Sequence, residues 1–298
     1  MEEKNQDKYQ KVLVESPVTE DDAAVAADIQ AILSKHFDEN NNVEVYKTCF
    51  NAIDLTSLNS TDTIESITKM VERVNAFEEE YPQLPNVAAI CTYPNFAVVV
   101  SGALEVTGVD TAVVAGSFPS SQTFAEIKTA ETALAVADGA NEVDIVFNLG
   151  LYYAGCYEEL ADEISEIKEA ARDARLKVIL ETGALKTAVD IKKASILSMY
   201  AGADFIKTST GKVYPGATLD AAYVMCKCIK EYYDKTGIKV GFKVSGGVSS
   251  TEDAVKYYTL VKEILGEEWL NNNYFRIGTS RAANYILSSI IGKEVKFF

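Results

Sequence analysis

The chain has 298 residues, 48% of them hydrophobic, and a formal net charge of −16. That length suits one large core such as an α/β barrel builds, and no stretch approaches the ~20 apolar residues of a membrane-spanning helix. The acidity argues against nucleic acid and anionic membranes as partners, which require basic footprints, while a local group of lysines and backbone amides can still hold one phosphate.

The N-terminus, Met1-Glu-Glu-Lys-Asn-Gln-Asp-Lys8, lacks the apolar core of a signal peptide. Residues 1–41 read as an N-terminal helical extension, with a helix from Glu20 to His36 and a closing turn at Asn40-Asn41-Asn42. Residues 42–298 alternate β-like apolar runs with amphipathic windows. The runs are Phe50–Leu55, Val87–Thr92, Thr111–Ala115, Glu142–Phe147, Lys177–Glu181, Asp204–Thr208, Ile238–Val244 and Tyr274–Gly278. Between them, helices are predicted over Asp62–Glu80, Gln122–Asp138, Glu158–Arg175, Lys186–Ala201, Ala217–Tyr233, Thr251–Leu265 and Ser280–Ile291. Asp62 and Glu65 have capping-box spacing, and Ile64, Val71 and Val74 are core candidates. Eight alternations imply a single-domain (β/α)8 TIM barrel carrying the extension. An open doubly wound sheet would show G-x-G-x-x-G after a strand, and none is present.

In such a barrel the strand C-termini face the active site. The predicted ends place Asp54, Cys91, Asp144, Glu181, Lys207 and Lys243 there, with Lys177 nearby. Lys207, in Asp204-Phe-Ile-Lys-Thr-Ser-Thr-Gly-Lys212, and Lys243, in Gly241-Phe-Lys-Val-Ser-Gly-Gly247, each run from an apolar strand into small or hydroxylated residues. A structural ion pair explains one buried lysine; two lysines with two carboxylates favour function. Freeing an amine with pKa ~10.4 near neutrality takes a drop of roughly 3 units, or about 4 kcal/mol. A second ammonium at ~5 Å supplies about 3 kcal/mol at an effective dielectric of ~20, and desolvation can supply the rest. Schiff-base chemistry is the expectation.

Glycine-rich turns follow strands six, seven and eight: Gly211, Gly246-Gly247 and Gly278-Thr-Ser280. Such loops bind phosphate through backbone amides, and Ser280 could equally be the N-cap of the last helix. Gly211-Lys212 is no P-loop, because Ile206 and Val213 occupy its glycine and hydroxyl positions. His36 is the only histidine and lies in the extension, which removes the usual zinc ligands and a Ser-His-Asp triad; neither metal nor cofactor is expected. Five scattered cysteines (Cys49, Cys91, Cys156, Cys226, Cys228) fit reduced thiols and a cytoplasmic location, with Cys226 and Cys228 in core packing.

At these residues the chain resembles the deoxyribose-phosphate aldolases, class I Schiff-base enzymes. The likeness runs through Ala52-Ile-Asp-Leu-Thr56, Ala88-Ala-Ile-Cys-Thr-Tyr-Pro94, Glu142-Val-Asp-Ile-Val-Phe147, Lys177-Val-Ile-Leu-Glu-Thr-Gly183, the segment Ala201–Lys212, Gly241-Phe-Lys243, Gly246-Gly-Val248 and Gly278-Thr-Ser280. The resemblance implies reversible cleavage of 2-deoxy-D-ribose 5-phosphate to D-glyceraldehyde 3-phosphate and acetaldehyde, within deoxyribose phosphate and deoxyribonucleotide catabolism. It makes Lys207 the Schiff-base lysine, Lys243 the lysine that perturbs it and Asp144 the acid/base partner. Asp54 and Thr56 match substrate contacts, Cys91 lies near the pocket, and Gly246, Gly247 and Ser280 fall on the phosphate site. Lys177, Thr208, Gly211, Gly278 and Arg281 complete the expected substrate-binding set.

Departures from the family pattern carry their own expectations. Val244-Ser245 stands for the usual Pro-Ala, Ser249 for a common arginine and Arg281 for a second serine, so Arg281 is expected to supply the lost charge. The ending Phe297-Phe298 lacks a tyrosine-terminated tail, implying slower enamine protonation or help from another group. Two readings compete with the aldolase: another Schiff-base phosphosugar aldolase or transaldolase-like barrel, and a catalytically silent phosphosugar-binding protein. Partners are small phosphorylated sugars and aldehydes, with a homodimer left as an open expectation.

Overall fold

The computed structural model describes residues 8–16 and 21–298. The expected helix start at Glu20 and most of the segment read for a signal peptide lie outside them. The described chain opens with α1 (Lys8–Glu15), α2 (Asp22–Asn40) and α3 (Val43–Asn51). Then follow β1 (Ile53–Thr56), α4 (Ile64–Glu80), β2 (Ala89–Thr92), α5 (Ala97–Ala103), β3 (Asp110–Ala115), α6 (Ala125–Ala137) and β4 (Glu142–Val146). The second half contains α7 (Leu149–Tyr153), α8 (Tyr157–Ala171), β5 (Arg175–Ile179), α9 (Thr182–Leu185), α10 (Ala188–Tyr200) and β6 (Phe205–Lys207). It closes with α11 (Leu219–Thr236), β7 (Gly241–Ser245), α12 (Thr251–Leu265), β8 (Phe275–Thr279) and α13 (Ala282–Ile291). The eight strands pair in parallel and in sequence order, and β8 returns to β1, so the sheet closes as the expected (β/α)8 barrel.

Strand alternation divides the side chains between two environments. Val113, Val143, Ile145, Leu176, Val178, Ile206, Phe242, Val244 and Ile277 join the large core between sheet and helices. The intervening residues point to the barrel axis. On the β2–β3 side these are Ala89, Cys91, Ala112 and Val114, a small apolar cluster capped by Leu58. On the other strands they include the charged residues Asp54, Glu142, Asp144, Lys177, Lys207, Lys243 and Arg276. Cys226 and Cys228 are buried in the outer core, and all five cysteines are free.

Several element ends differ from expectation for local reasons. β1 starts three residues late because Phe50 and Asn51 finish α3, where Phe50 stacks on Phe77 of α4 at 5.1 Å. The capping box of α4 is Thr63 with Ser66; Asp62 instead accepts hydrogen bonds from the Ser57 hydroxyl and the Asn59 amide. Ile64, in the first turn of α4, is 65% exposed, and Ile67 takes the core position beside Val71 and Val74. Arg175 opens β5 rather than ending a helix, which leaves Glu181 beyond the strand in left-handed backbone.

The N-terminal helices lie on the outside of the barrel, α1 against α8 and α10, α2 against α11 and α12. Buried Asn40 of α2 donates to the Thr259 hydroxyl and accepts from Lys262, both on α12. Phe297 and Phe298 pack on Phe77, and both backbone amides donate to the side-chain Oδ1 of Asn284.

Gly241 faces the axis with no room for a side chain, because a Cβ there would sit 2.3 Å from the Phe205 ring. Gly241→Ala should therefore destabilise the barrel by about 1–3 kcal/mol through overpacking, read as a lower urea midpoint with an unchanged m-value.

Candidate active site

The charged half of the barrel interior is built by strand register. Glu142 lies opposite Arg175 and Asp144 opposite Lys177 across β4 and β5, so each carboxylate meets a cation on the adjacent strand. Across β6 and β7, however, Lys207 lies opposite Lys243, two cations side by side. Asp144 reconciles them. Its Oδ2 accepts from Lys207 at 2.8 Å and from Lys243 at 2.7 Å, while Oδ1 accepts from Lys177 at 3.0 Å. Asp54 on β1 also accepts from Lys243, from Lys177 at 3.2 Å and from Arg276 of β8 at 2.6 Å. Glu142 completes the layer, accepting from Lys177 at 2.6 Å and from both terminal nitrogens of Arg276 at 2.7 and 3.0 Å. The layer is sealed except at one point: the Lys207 side chain is 3% exposed, against 0% for Lys177 and Lys243.

Protonation follows from these surroundings. Burial pushes the Lys207 ammonium below the ordinary lysine range, and Lys243 pushes the same way against the pull of Asp144. Burial also opposes the charge on Lys243 and Lys177, but their carboxylates outweigh it and raise both. Burial would raise Asp144 and Asp54; the surrounding cations, Lys177 foremost, hold both well below the usual carboxylate range. The arrangement thus contains one amine disposed to lose its proton, beside a carboxylate disposed to stay charged. A free amine there can add to a carbonyl carbon, and the carboxylate can hold the displaced proton.

A cavity of about 490 Å³ opens at the strand C-termini, bounded by the loops after β1, β6, β7 and β8. Gly211, Gly246, Gly247, Gly278, Ser280 and Thr56 all line it, together with two cations, Lys212 and Arg281. Gly246 and Gly247 adopt φ of +70° and +89°, and a Cβ on Gly247 would approach the Ala217 carbonyl to 3.0 Å. Their lack of side chains lets the β6 and β7 loops pack backbone to backbone. A larger cavity of about 610 Å³, on the flank of α8, is lined by Glu158, Glu159, Asp162, Glu163 and Glu166 and would repel a phosphate.

Known proteins match both this sequence and this fold. The sequence profile described as "DeoC/LacD family aldolase" matches residues 48–259. Deoxyribose-phosphate aldolase of Homo sapiens is 42% identical over 238 residues, covering 76% of this chain and 75% of that protein. The Mus musculus protein of the same name is 39% identical over 243 residues, with the same coverages. Among solved structures, the tetrameric deoxyribose phosphate aldolase of Aeropyrum pernix superposes with a TM-score of 0.67 at 28% identity, covering 87% of this chain and 96% of that one. This chain belongs to the DeoC/LacD aldolase family.

Several of the expected substrate-contact residues of this aldolase are engaged by protein groups. Asp54 and Lys177 are wholly buried in the charge layer, and Cys91 is buried, its thiol pushed up by burial. The buried Thr208 hydroxyl donates to the Ser245 carbonyl and accepts from the Ser245 amide, clamping β6 to β7. Thr279, not Ser280, serves the start of α13, accepting from the Arg281 and Ala282 amides; Ser280 is free to face the cavity. Ser249, at the position of the common family arginine, gives its amide and hydroxyl to Asp253. Arg281 is exposed and lines the same cavity.

Three contributors escaped the sequence reading. Glu142 and Arg276 lie one inward-facing position before Asp144 and Gly278, so period-two counting back from the strand ends would have found them. Lys212 lines the cavity and donates to the Leu58 carbonyl; its place directly after Gly211 was the available signal. Glu181 steadies the same loop by accepting from the Thr210 amide at 3.1 Å and hydroxyl at 2.5 Å. Among the described residues, one His/Glu group is close enough to hold a metal: His36, Glu39 and Glu263. His36 meets Glu39 within α2 at 2.7 Å and Glu263 at the C-terminal end of α12 at 3.3 Å, opposite the cavity end of the barrel.

Lys177→Met should leave three buried carboxylates short of a cation and destabilise the protein by about 3–5 kcal/mol. Chemical denaturation checks this, and a loss below ~1 kcal/mol would mean the layer readily takes up water.

Proposed function

We propose that this aldolase reversibly cleaves 2-deoxy-D-ribose 5-phosphate to D-glyceraldehyde 3-phosphate and acetaldehyde through a Schiff base on Lys207. The observation that carries the reading is the pairing of a destabilised, minimally exposed ammonium on Lys207 with the carboxylate of Asp144, ionised at rest, at 2.8 Å. The names of the Homo sapiens and Mus musculus relatives support the substrate. The amine of Lys207 adds to the C1 aldehyde of the open-chain sugar, and loss of water gives an iminium. Removal of the C3 hydroxyl proton then releases D-glyceraldehyde 3-phosphate, and the C2–C3 bonding pair passes into the enamine. Protonation at C2 and hydrolysis free acetaldehyde and restore the amine. Asp144 relays protons through a water at the carbinolamine and enamine steps, and Lys243 holds the Lys207 pKa down by its charge.

The substrate phosphate sits in the cavity bounded by the β6, β7 and β8 loops, facing Lys212, Arg281, Ser280 and the Gly246-Gly247 backbone. The reaction belongs to deoxyribose phosphate catabolism, and hence to deoxyribonucleotide catabolism. Five free cysteines support a cytoplasmic location. A homodimer is part of the same proposal: exposed Val98 on α5, with Phe124 and Ile127 at the start of α6 and Leu134 further along it, offers an apolar face.

With acetaldehyde and borohydride, reduction should mark Lys207 alone. Lys207→Arg should abolish both marking and cleavage, and appreciable turnover in that variant would sink the assignment.

Asp144→Asn should lower cleavage of 2-deoxyribose 5-phosphate by ~10²-fold or more, measured with chelator present. Activity within a few-fold of wild type would reduce Asp144 to an ion-pair partner.

A further inference from the structure

The charges buried in the barrel can be counted. Three carboxylates, Asp54, Glu142 and Asp144, are met by three cations besides Lys207: Lys177, Lys243 and Arg276. None of the six side chains is more than 1% exposed. On the rim a further matched pair, Arg175 and Asp110, 3.0 Å apart and 37% and 33% exposed, joins the layer through Arg175–Glu142 at 2.9 Å and Arg276–Asp110 at 3.5 Å and adds no net charge. The layer is therefore electrically neutral before Lys207 is considered. A proton on Lys207 adds a net charge where little solvent is present to screen it. Its single carboxylate acceptor, Asp144 Oδ2, is already shared with Lys243. From β2 it faces the Cys91 thiol, and Glu181, just past the end of β5, is engaged by Thr210.

We propose that Glu142 and Arg276 are positioning residues that balance the charge layer, making Lys207 the one surplus cation and so setting the pH above which its amine is free. Neither makes an ion pair with Lys207, and neither lines the cavity. This inference rests on the reading of Lys207 as the nucleophile. The directions of the buried lysines agree with it: Lys177, Lys243 and Arg276 are all raised, and Lys207 is lowered.

The sign of the effect follows from the count. Arg276→Gln leaves the layer one negative charge in excess, which favours a proton on Lys207 and moves its pKa up. Glu142→Gln leaves one positive charge in excess and moves it down. A unit charge roughly 10 Å away, acting through an effective dielectric of ~20, shifts a pKa by about one unit.

The test is the pH dependence of borohydride trapping with acetaldehyde on the full chain, read by mass spectrometry at Lys207. The acid limb of the profile should move about one pH unit upward in Arg276→Gln and about one unit downward in Glu142→Gln. On that limb trapping should then fall or rise about tenfold. The double variant Glu142→Gln/Arg276→Gln should return to the wild-type profile. Arg276→Lys, which keeps the charge but loses the forked geometry, should also retain it. Single variants that trap with the wild-type profile, or that both shift the same way, would overturn the proposal in favour of packing alone. Should the buried variants fail to fold, Arg175→Gln and Asp110→Asn on the rim carry the same opposite-signed test with smaller shifts, and unmoved profiles there overturn it equally. Wild-type protein left unmarked at Lys207 would instead remove the nucleophile reading beneath it.

Discussion

One oxygen atom, Asp144 Oδ2, holds the interior together. Parallel register sets Lys207 beside Lys243, and two ammonium groups that close repel by about 3 kcal/mol at an effective dielectric of ~20. Neither neighbouring strand supplies the acceptor that both need. It comes from β4, three strands from β7, across the axis of a closed sheet. Ring closure is therefore an electrostatic requirement as much as a packing solution. An open sheet of the same strands would leave the lysine pair without its shared counter-charge.

The division of the barrel interior follows from the same constraint. Ala89, Cys91, Ala112 and Val114 fill one side with small apolar groups and exchange no hydrogen bonds with the charges opposite. The charged side has almost no slack, since most of its ions serve two or three partners at once. Buried ions of this kind contribute little net stability, but they resist rearrangement, because moving one strands the rest. The rigidity favours the one mobile quantity, the proton on Lys207. Gly278 matters for the same reason, as a Cβ there would come within 3.2 Å of the Lys243 side chain.

The fold was legible because it depends on a repeated pattern: apolar runs eight times over, separated by helical windows. The edges were not, because edge residues answer to neighbours that pattern-reading does not see. Phe50 looks like strand and is helix, since Phe77 offers it a ring to stack on. Ile64 looks like core and is exposed, because a helix start at Thr63 turns it outward. In the site, Lys207, Lys243 and Asp144 stood out as strand-end charges in apolar surroundings. Asp54, Lys177 and Thr208 have the same signature and lie as deep as Asp144 and Lys243; of the six only Lys207 keeps any exposure, a difference that sequence position does not reveal. Glu142 and Arg276 lie deeper still, at positions where charge is least expected from sequence.

The N-terminal helices bear on how the chain reaches this state. α2 precedes every barrel strand, yet its buried Asn40 and the apolar face of Val25 and Ile29 find partners on α11 and α12, near the other end of the sequence. During synthesis, α2 emerges long before the surface it covers exists. Its apolar residues stay without their native partners until α11 and α12 have followed, after seven of the eight strands. Docking of α2 is then a late event that reports a completed barrel, and the nascent chain carries an exposed sticky helix for most of its time on the ribosome.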